Sequence, residues 1–427
     1  MKRIKKSVLM VGIACSVLTV SCTRNNYPNR DTKKLSNEVV LKWNEVAYQA
    51  FGGATYQHSL MASRINAMVH IAMHDAINAI QPEYETYAFD GKNANANPVA
   101  AAASAAHTVL LHEIPGSKGL LDSALQQSLA NIPEGVAKTD GIQLGREAGA
   151  AMITDRENDG SAGNPVVPVP PSLVAGVYQP VPPFNFYFAP FWENVKLFGL
   201  QKKDQFRVTP PPALNSDAYA VAFSEVKERG KKNSTIRTAD QTAYAKYWYE
   251  FSEAGWNRVA RTVAVDKKLD LYETARLFAL VDIALADAYT AGWDSKLHYN
   301  LWRPYTAIRN AEKDGNNQTS PDTEWEPEQV TPPIQDYPST HSALGNAAAV
   351  VMANILGDAT SFTMPSPTAV PAGGTRSFTS FSQAARENAE SRVMAGIHFR
   401  FACDAGLELG KNIGNWVTSN HLRSLNK

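Results

Sequence analysis

The chain has 427 residues, of which 44% are hydrophobic and 19% charged, so it can bury one large core or two moderate ones and is not a disordered, solvating chain. Its 41 basic side chains balance 41 acidic ones, and four of the basic residues fall within the first 21 positions. Without them the net charge is about −4, because 37 basic side chains then face 41 acidic ones. Such a weakly acidic surface offers no footprint for nucleic acid, and we exclude that class of partner.

The first 21 residues are typical of an export signal rather than of a folded element. Four cationic residues precede an apolar run, Val8 to Val20, which is too short to span a bilayer as a helix. The string that ends at Cys22 resembles a bacterial lipoprotein cleavage site, and an ordinary secretory signal cut nearby is the alternative. We expect a signal over 1–21, a tether over 22–37 behind lipidated Cys22, and attachment by lipid alone to the periplasmic face of the outer membrane.

Apolar residues recur three and four positions apart through most of the chain, which is the pattern of amphipathic helices. Alternating runs typical of strands are scarce, so the chain is predicted to be all-α, with long Pro-rich loops. The pattern predicts helices over 38–50, 60–80, 98–113, 117–131, 137–153, 215–229, 236–264, 268–293, 341–356 and 380–398.

Two segments interrupt the helical pattern. Asn164 to Pro190 holds eight prolines among aromatic residues, and because proline blocks helices we expect a long connection that lies against the protein surface. A second loop is expected at about Ser361 to Phe378. The predicted organisation is an N-terminal helical half over 38–214, which includes the first loop, and a C-terminal helical half over 215–427.

The chemically distinctive residues lie in the last third, and the first of them are Lys296 and Arg303. They are seven residues apart, which is two helical turns, and Pro304 biases Arg303 towards the end of a helix. An isolated pair of this kind is more often a solvated cationic face than a binding site.

A second element is the segment Tyr337-Pro338-Ser339-Thr340-His341, which begins a predicted helix of small residues. A Pro-Ser-Thr start is typical of a helix N-terminus, where free backbone N–H groups and the positive end of the helix dipole bind oxyanions. A segment of this kind by itself is more often an ordinary helix cap with an incidental surface histidine.

The third element contains Ser391, Arg392 and His398. Arg392 and His398 are six residues apart, roughly 120° around an ideal helix. They converge only if a ligand lies between them or the helix distorts near Gly396. The alternative is a buried histidine that caps a neighbouring helix.

Together, three cations, a helix N-terminus and two histidines suit a tetrahedral oxyanion that becomes trigonal bipyramidal. Their order resembles the signature K-x6-R-P, P-S-G-H and S-R-x5-H-x3-D of the vanadium-dependent haloperoxidases and type 2 phosphatidic acid phosphatases. Lys296-x6-Arg303-Pro304 matches the first part fully, Thr340 replaces glycine in the second, and Ser391-Arg392-x5-His398 matches most of the third. Softer similarity elsewhere is to bacterial secreted haloperoxidase-type proteins.

The last carboxylate of that signature is missing, because its position is Ala402. In the family this aspartate hydrogen-bonds the histidine that binds vanadium or attacks phosphorus. We therefore expect His398 to be a weak donor that Ala402→Asp would strengthen. On a regular helix Asp404 would point away from His398. A backbone carbonyl or Glu408 is therefore the remaining candidate partner of the His398 ring.

The resemblance implies an exported helical-bundle enzyme that uses vanadate, hydrogen peroxide and a halide. It assigns oxyanion binding to Lys296, Arg303, Ser339, Thr340 (through its amide) and Arg392, axial ligation of vanadium to His398, and acid–base chemistry to His341. Two alternatives stay open: an acid phosphatase that uses the same site through a phosphohistidine on His398, and a non-catalytic periplasmic oxyanion-binding lipoprotein. The oligomeric state is open as well.

Other candidates are weaker. His70 and His74 have a spacing that can ligate a metal, but their segment is mostly apolar and we interpret both as core histidines satisfied by hydrogen bonds. His298 is a candidate for the mouth of the site. Candidate walls of the site are Trp302, Tyr337 and Phe378.

Overall fold

The computed structural model of the protein describes residues 35–425. The predicted signal segment, the predicted lipidation site Cys22 and residues 22–34 of the predicted tether lie outside the described residues, so these assignments stay predictions. Within 35–425, no helix has both the length and the apolar character needed to cross a bilayer.

Thirteen α-helices dominate the described part of the chain, which confirms the all-α prediction. They are α1 (Glu38–Ala50), α2 (Ser59–Asn78), α3 (Pro98–Glu113), α4 (Lys118–Leu129), α5 (Val136–Asp155), α6 (Asp217–Arg229), α7 (Ala239–Tyr247), α8 (Ser252–Asp266), α9 (Leu271–Tyr299), α10 (Pro304–Arg309), α11 (Thr340–Leu356), α12 (Phe381–Met394) and α13 (Arg400–Asn420). The division into halves at 214/215 stays a prediction.

The two Pro-rich loops each contain a small antiparallel strand pair. In the first loop β1 (Val166–Pro168) pairs with β2 (Phe186–Phe188), and in the second β3 (Phe362–Pro365) pairs with β4 (Thr375–Phe378). The aromatic residues of the first loop are mostly half-buried, and Trp192, just after it, is buried, as expected for a connection that packs on the surface.

The central element is α9, whose 29 residues are almost entirely buried and pack against α2, α8, α11 and α13. Asp287 on α9 holds the chain that follows the first loop, because its carboxylate accepts hydrogen bonds of 2.6–2.7 Å from three consecutive backbone N–H groups, those of Phe198, Gly199 and Leu200. The loop itself pairs with the chain beyond α9, where Trp302 N donates to Gly176 O at 2.8 Å. The loop is thus fixed beside Arg303.

The last helix, α13, packs against α11 through a face of glycines at 406, 410 and 414. A Cβ atom on Gly410 would lie 2.2 Å from the Ala343 backbone oxygen, so the two helices touch backbone to backbone. The sequence did not predict α13, because glycines lower helix propensity and interrupt the apolar period. This packing brings the start of α13 to the start of α11, where Ser339 N donates to Ala402 O at 2.8 Å.

The expectation of one continuous helix over 236–264 is wrong. The chain leaves the helix after Tyr247 and re-enters it at Ser252. The carbonyl of Trp248, at the break, accepts hydrogen bonds from side chains instead of a helix N–H.

Candidate oxyanion site

Lys296 and Arg303 are brought together by one short segment, Ile334 to Asp336. Lys296, one turn before the end of α9, donates from Nζ to Gln335 O at 2.6 Å and Asp336 O at 3.0 Å. Arg303 donates from Nε to Ile334 O at 2.7 Å. Arg303 is extended, as Pro304 predicts, but it caps the start of α10 and does not share a helix with Lys296.

Arg392 lies in the last turn of α12, and His398 follows the end of that helix. Gly396, at φ +78°, terminates α12 in a Schellman motif, since Gly396 N donates to Val393 O at 2.9 Å and Ile397 N to Arg392 O at 3.2 Å. His398 therefore lies in the connection to α13, and the predicted helix over 380–398 ends four residues early. Because α12 ends before His398, the 120° separation of Arg392 and His398 expected on an ideal helix does not apply.

The Trp248 carbonyl contacts both Arg392 and His341. It accepts from His341 Nε2 at 2.8 Å and from Arg392 Nη1 at 3.3 Å, while the buried Nε of Arg392 has no partner among residues 35–425. Burial lowers the pKa of Arg392 to about 10. Because the carbonyl requires a proton on Nε2 of His341, the Nδ1 atom of that ring is left to exchange protons.

We expect His341 to stay neutral in mildly acidic solution. Burial, and next the positive charge of Arg392, hold the pKa of His341 well below 6.5. A neutral imidazole accepts a proton, so the loss of this base as the pH falls should occur below pH 6.5 rather than near 7. An NMR titration of the ring, assigned with His341→Gln, measures this, and a midpoint at or above 6.5 would contradict it.

His398 has a carboxylate partner that the sequence did not indicate. Asp336 Oδ1 lies 2.8 Å from His398 Nδ1, and both side chains are buried. Asp404 and Glu408 are exposed, so neither serves, and the expectation of a weakly supported His398 is wrong. Asp336 stands one residue ahead of the second motif, and the only available signal was an acid in an otherwise apolar, Pro-rich segment.

Ser339 and Thr340 form the start of α11. Ser339 is the N-cap, and its buried hydroxyl accepts from Ser342 Oγ at 3.0 Å. Thr340 is the first helical residue, where the backbone N–H has no partner within the helix. Its methyl group packs against Gly292 on α9, one turn before Lys296, so the side chain that replaces the signature glycine is directed at α9.

We expect Gly292→Ala to destabilise the protein, because its Cβ would lie 2.1 Å from Thr340 Cγ2. Overpacking costs about 1–3 kcal/mol, and the better helix propensity of alanine returns at most about 1 kcal/mol. Urea unfolding measures the change. Adding Thr340→Ser removes the methyl and should restore stability.

The matched control is Gly119→Ala on α4, where an added methyl group meets nothing within 4 Å. It should leave the free energy of unfolding unchanged or slightly higher. Equal losses in Gly119→Ala and Gly292→Ala would contradict the steric explanation.

The charges of the site fit an anion. Arg303 Nη1 lies 3.6 Å from Asp336 Oδ1, whereas Lys296 and Arg392 have no ion pair within 4 Å among residues 35–425. Burial, and next the charge of Arg303, lower the pKa of Lys296 well below its ordinary value. Three buried cations against one carboxylate, together with the unpartnered Nε of Arg392, are what a multiply charged oxyanion such as vanadate or phosphate would complete.

The other candidate residues lie outside this cluster or at its edge. His70 and His74 are both buried in the core, and His74 Nε2 lies 3.1 Å from Glu85 O, as expected for a core histidine with a hydrogen bond. His70 Nδ1 lies 2.6 Å from Asp282 Oδ2, a close charge contact that lacks hydrogen-bond geometry. His298 is exposed with its ring against Tyr299, so the structure does not place it in the site.

The three candidate wall residues, Trp302, Tyr337 and Phe378, are all buried. The Phe378 ring packs on Trp248, with 5.8 Å between centroids. Tyr249, which the sequence analysis did not single out, places its ring 5.6 Å from the Arg392 guanidinium. The break between α7 and α8 therefore supplies Arg392 with an aromatic neighbour, Tyr249, as well as the Trp248 carbonyl.

The chain is similar in sequence and fold to several known proteins. Residues 276–427 match the family model of the VCPO second helical-bundle domain. The chain is 28% identical to the vanadium chloroperoxidase of Curvularia inaequalis over 73% of its own length and 63% of that protein, which is less than two thirds of the relative.

Two solved structures are similar over most of the chain. A bacterial vanadium-dependent iodoperoxidase has 27% identity and a TM-score of 0.79, covering 92% of this chain and 99% of its own. A bacterial vanadium-dependent chloroperoxidase has a TM-score of 0.70 over 90% and 97% of the two chains, and at 17% identity it supports the fold alone.

Proposed function

Because the chain belongs to the vanadium haloperoxidase superfamily, we propose that it is a vanadate-dependent haloperoxidase that oxidises a halide with hydrogen peroxide. The observation that carries this proposal is the buried cationic site of Lys296, Arg303 and Arg392, with His341 and His398 beside it. Burial lowers the pKa of both histidines well below the ordinary value. Vanadate, when bound, supplies a Lewis-acid centre that activates peroxide.

The residues of the chain would divide the work by their chemistry. The three cations would hold the oxygens of the oxyanion and stabilise the charge that develops on them, while the Ser339 hydroxyl and the Thr340 amide donate further hydrogen bonds. His398 would hold the oxyanion through its Nε2 atom. His341, fixed by the Trp248 carbonyl, would take up and return a proton at Nδ1.

The decisive experiment compares two reactions in one preparation. The chain from Asn25 onward would be assayed with and without orthovanadate for peroxide-dependent oxidation of iodide, bromide and chloride, and separately for phosphomonoester hydrolysis. We expect halide oxidation only with orthovanadate, and none in His398→Ala.

Hydrolysis without orthovanadate, and no halide oxidation with it, would establish the phosphatase alternative, since phosphate is near-isosteric with vanadate and His398 would then attack phosphorus. Oxyanion binding without either reaction would support the non-catalytic oxyanion-binding alternative.

We also propose that the protein is exported and lipidated on Cys22, with the enzyme at the periplasmic face of the outer membrane. The support is the cationic and apolar pattern of residues 1–21 before that cysteine. Metabolic labelling with a fatty acid should mark the parent protein and not Cys22→Ser, and equal labelling of both would contradict this assignment.

A further inference from the structure

We propose that Asp336 is the positioning residue of His398, and that it takes over the role which the superfamily signature gives to a carboxylate at position 402. The inference rests on the proposed function, because it concerns the histidine that would bind vanadium. It assigns the support of this histidine to the segment before α11 instead of to α13.

The carboxylate of Asp336 favours one tautomer of His398. Its Oδ1 lies 2.8 Å from Nδ1, and a proton on that nitrogen is the arrangement in which the two atoms attract each other. Arg303 Nη1 lies 2.9 Å from Nε2 and 3.3 Å from Nδ1, so it contacts both ring nitrogens and does not select between them. We therefore expect His398 to carry its proton on Nδ1 and its lone pair on Nε2, which is the form that can bind a metal through Nε2.

The backbone of Asp336 is fixed by two hydrogen bonds. It donates from N to Leu301 O at 3.0 Å and accepts at its own oxygen from Lys296 Nζ at 3.0 Å. Its side chain is fully buried, and Oδ1 lies 2.8 Å from His398 Nδ1 and 3.6 Å from Arg303 Nη1. The histidine and two of the cations therefore all contact Asp336.

Position 402 offers a test of whether a carboxylate there can replace the carboxylate of Asp336. Ala402 is buried on the first turn of α13, and its backbone oxygen accepts from Ser339 N at 2.8 Å. By the signature, an aspartate at this position would reach the same histidine. A carboxylate moved from 336 to 402 should then restore what Asp336 provides.

The first measurement uses oxyanion-free protein at a fixed pH of about 8, where ¹⁵N NMR reports the tautomer of His398. We expect the parent to carry the proton on Nδ1 and Asp336→Ala to show a mixture of tautomers. Orthovanadate should bind Asp336→Ala about 10–100-fold more weakly, the usual cost of losing such a partner. Asp404→Ala, an exposed aspartate on α13, is the matched control and should change neither quantity.

The second measurement is the rescue variant Asp336→Ala/Ala402→Asp, which should recover the Nδ1–H tautomer and most of the affinity. An Nε2–H tautomer in the parent, or a folded Asp336→Ala with parental tautomer and affinity, would overturn the proposal. If Asp336→Ala does not fold, the parent spectrum and Asp336→Asn, which keeps the shape of the side chain, decide it. A parent with the expected tautomer and no halide oxidation would contradict the proposed function and leave the role of Asp336 standing.

Discussion

His398→Ala is expected to abolish turnover and weaken orthovanadate binding, whereas His341→Ala should abolish turnover with binding largely kept. The His398 ring lies against Arg303, with 2.9 Å from Nε2 to Nη1, and its loss removes the nitrogen that would hold the oxyanion. His341 is directed by its Nε2 contact to the Trp248 carbonyl, so its loss removes a proton carrier and leaves the three cations in place. General acid–base catalysis contributes about 10²–10⁴-fold, which is the fall in kcat expected for His341→Ala.

Calorimetric titration with orthovanadate and steady-state halide oxidation measure the two effects separately. His112→Ala, at an exposed histidine on α3, is the control and should match the parent in both. Equal orthovanadate affinity in the two active-site variants, with more than a tenth of parental turnover in each, would show that neither histidine has its proposed role.

Arg392→Lys is expected to reduce turnover by about 10²-fold, the effect of losing one hydrogen bond made in the transition state. The guanidinium is a planar fork, and its buried Nε has no partner within residues 35–425, so this nitrogen is available to a second oxygen of the ligand. Lysine keeps the charge but provides one point of contact, and it also loses the stacking against Tyr249.

The control for that substitution is Arg423→Lys at a mostly exposed arginine whose ion pair is with Glu85. It should leave kcat and KM unchanged. Arg392→Lys with parental kinetics would mean that the guanidinium fork does not contact the oxyanion.

The sequence predicted most helices well, and its failures have identifiable causes. The predicted ranges 38–50 and 98–113 coincide with α1 and α3, because their apolar faces repeat without interruption. The break at Trp248 was not predicted, because the residues around it are compatible with a helix. What distinguishes Trp248 is that its carbonyl accepts hydrogen bonds from the His341 and Arg392 side chains, which are distant in sequence.

The candidate site was predicted as a set of residues but not as a geometry. The structure brings Lys296, Arg303, Arg392 and both histidines into one cluster, and the roles assigned to them stay predictions. It does so through the Ile334–Asp336 segment and the Schellman turn, neither of which has a periodic signal. Asp336 was missed because a single acid outside a motif carries no information until its neighbours are known.

The contact between Thr340 and Gly292 limits the order in which this site can have changed. A chain with glycine at both positions can acquire threonine at 340 in one step, because the space beside α9 is already present. A chain with alanine at 292 would meet a steric clash and must first lose that methyl group. Relatives with a side chain at the position of Thr340 should therefore carry glycine at the position of Gly292. The identities of these two residues in a set of relatives would then show the order in which the start of α11 and the facing turn of α9 changed.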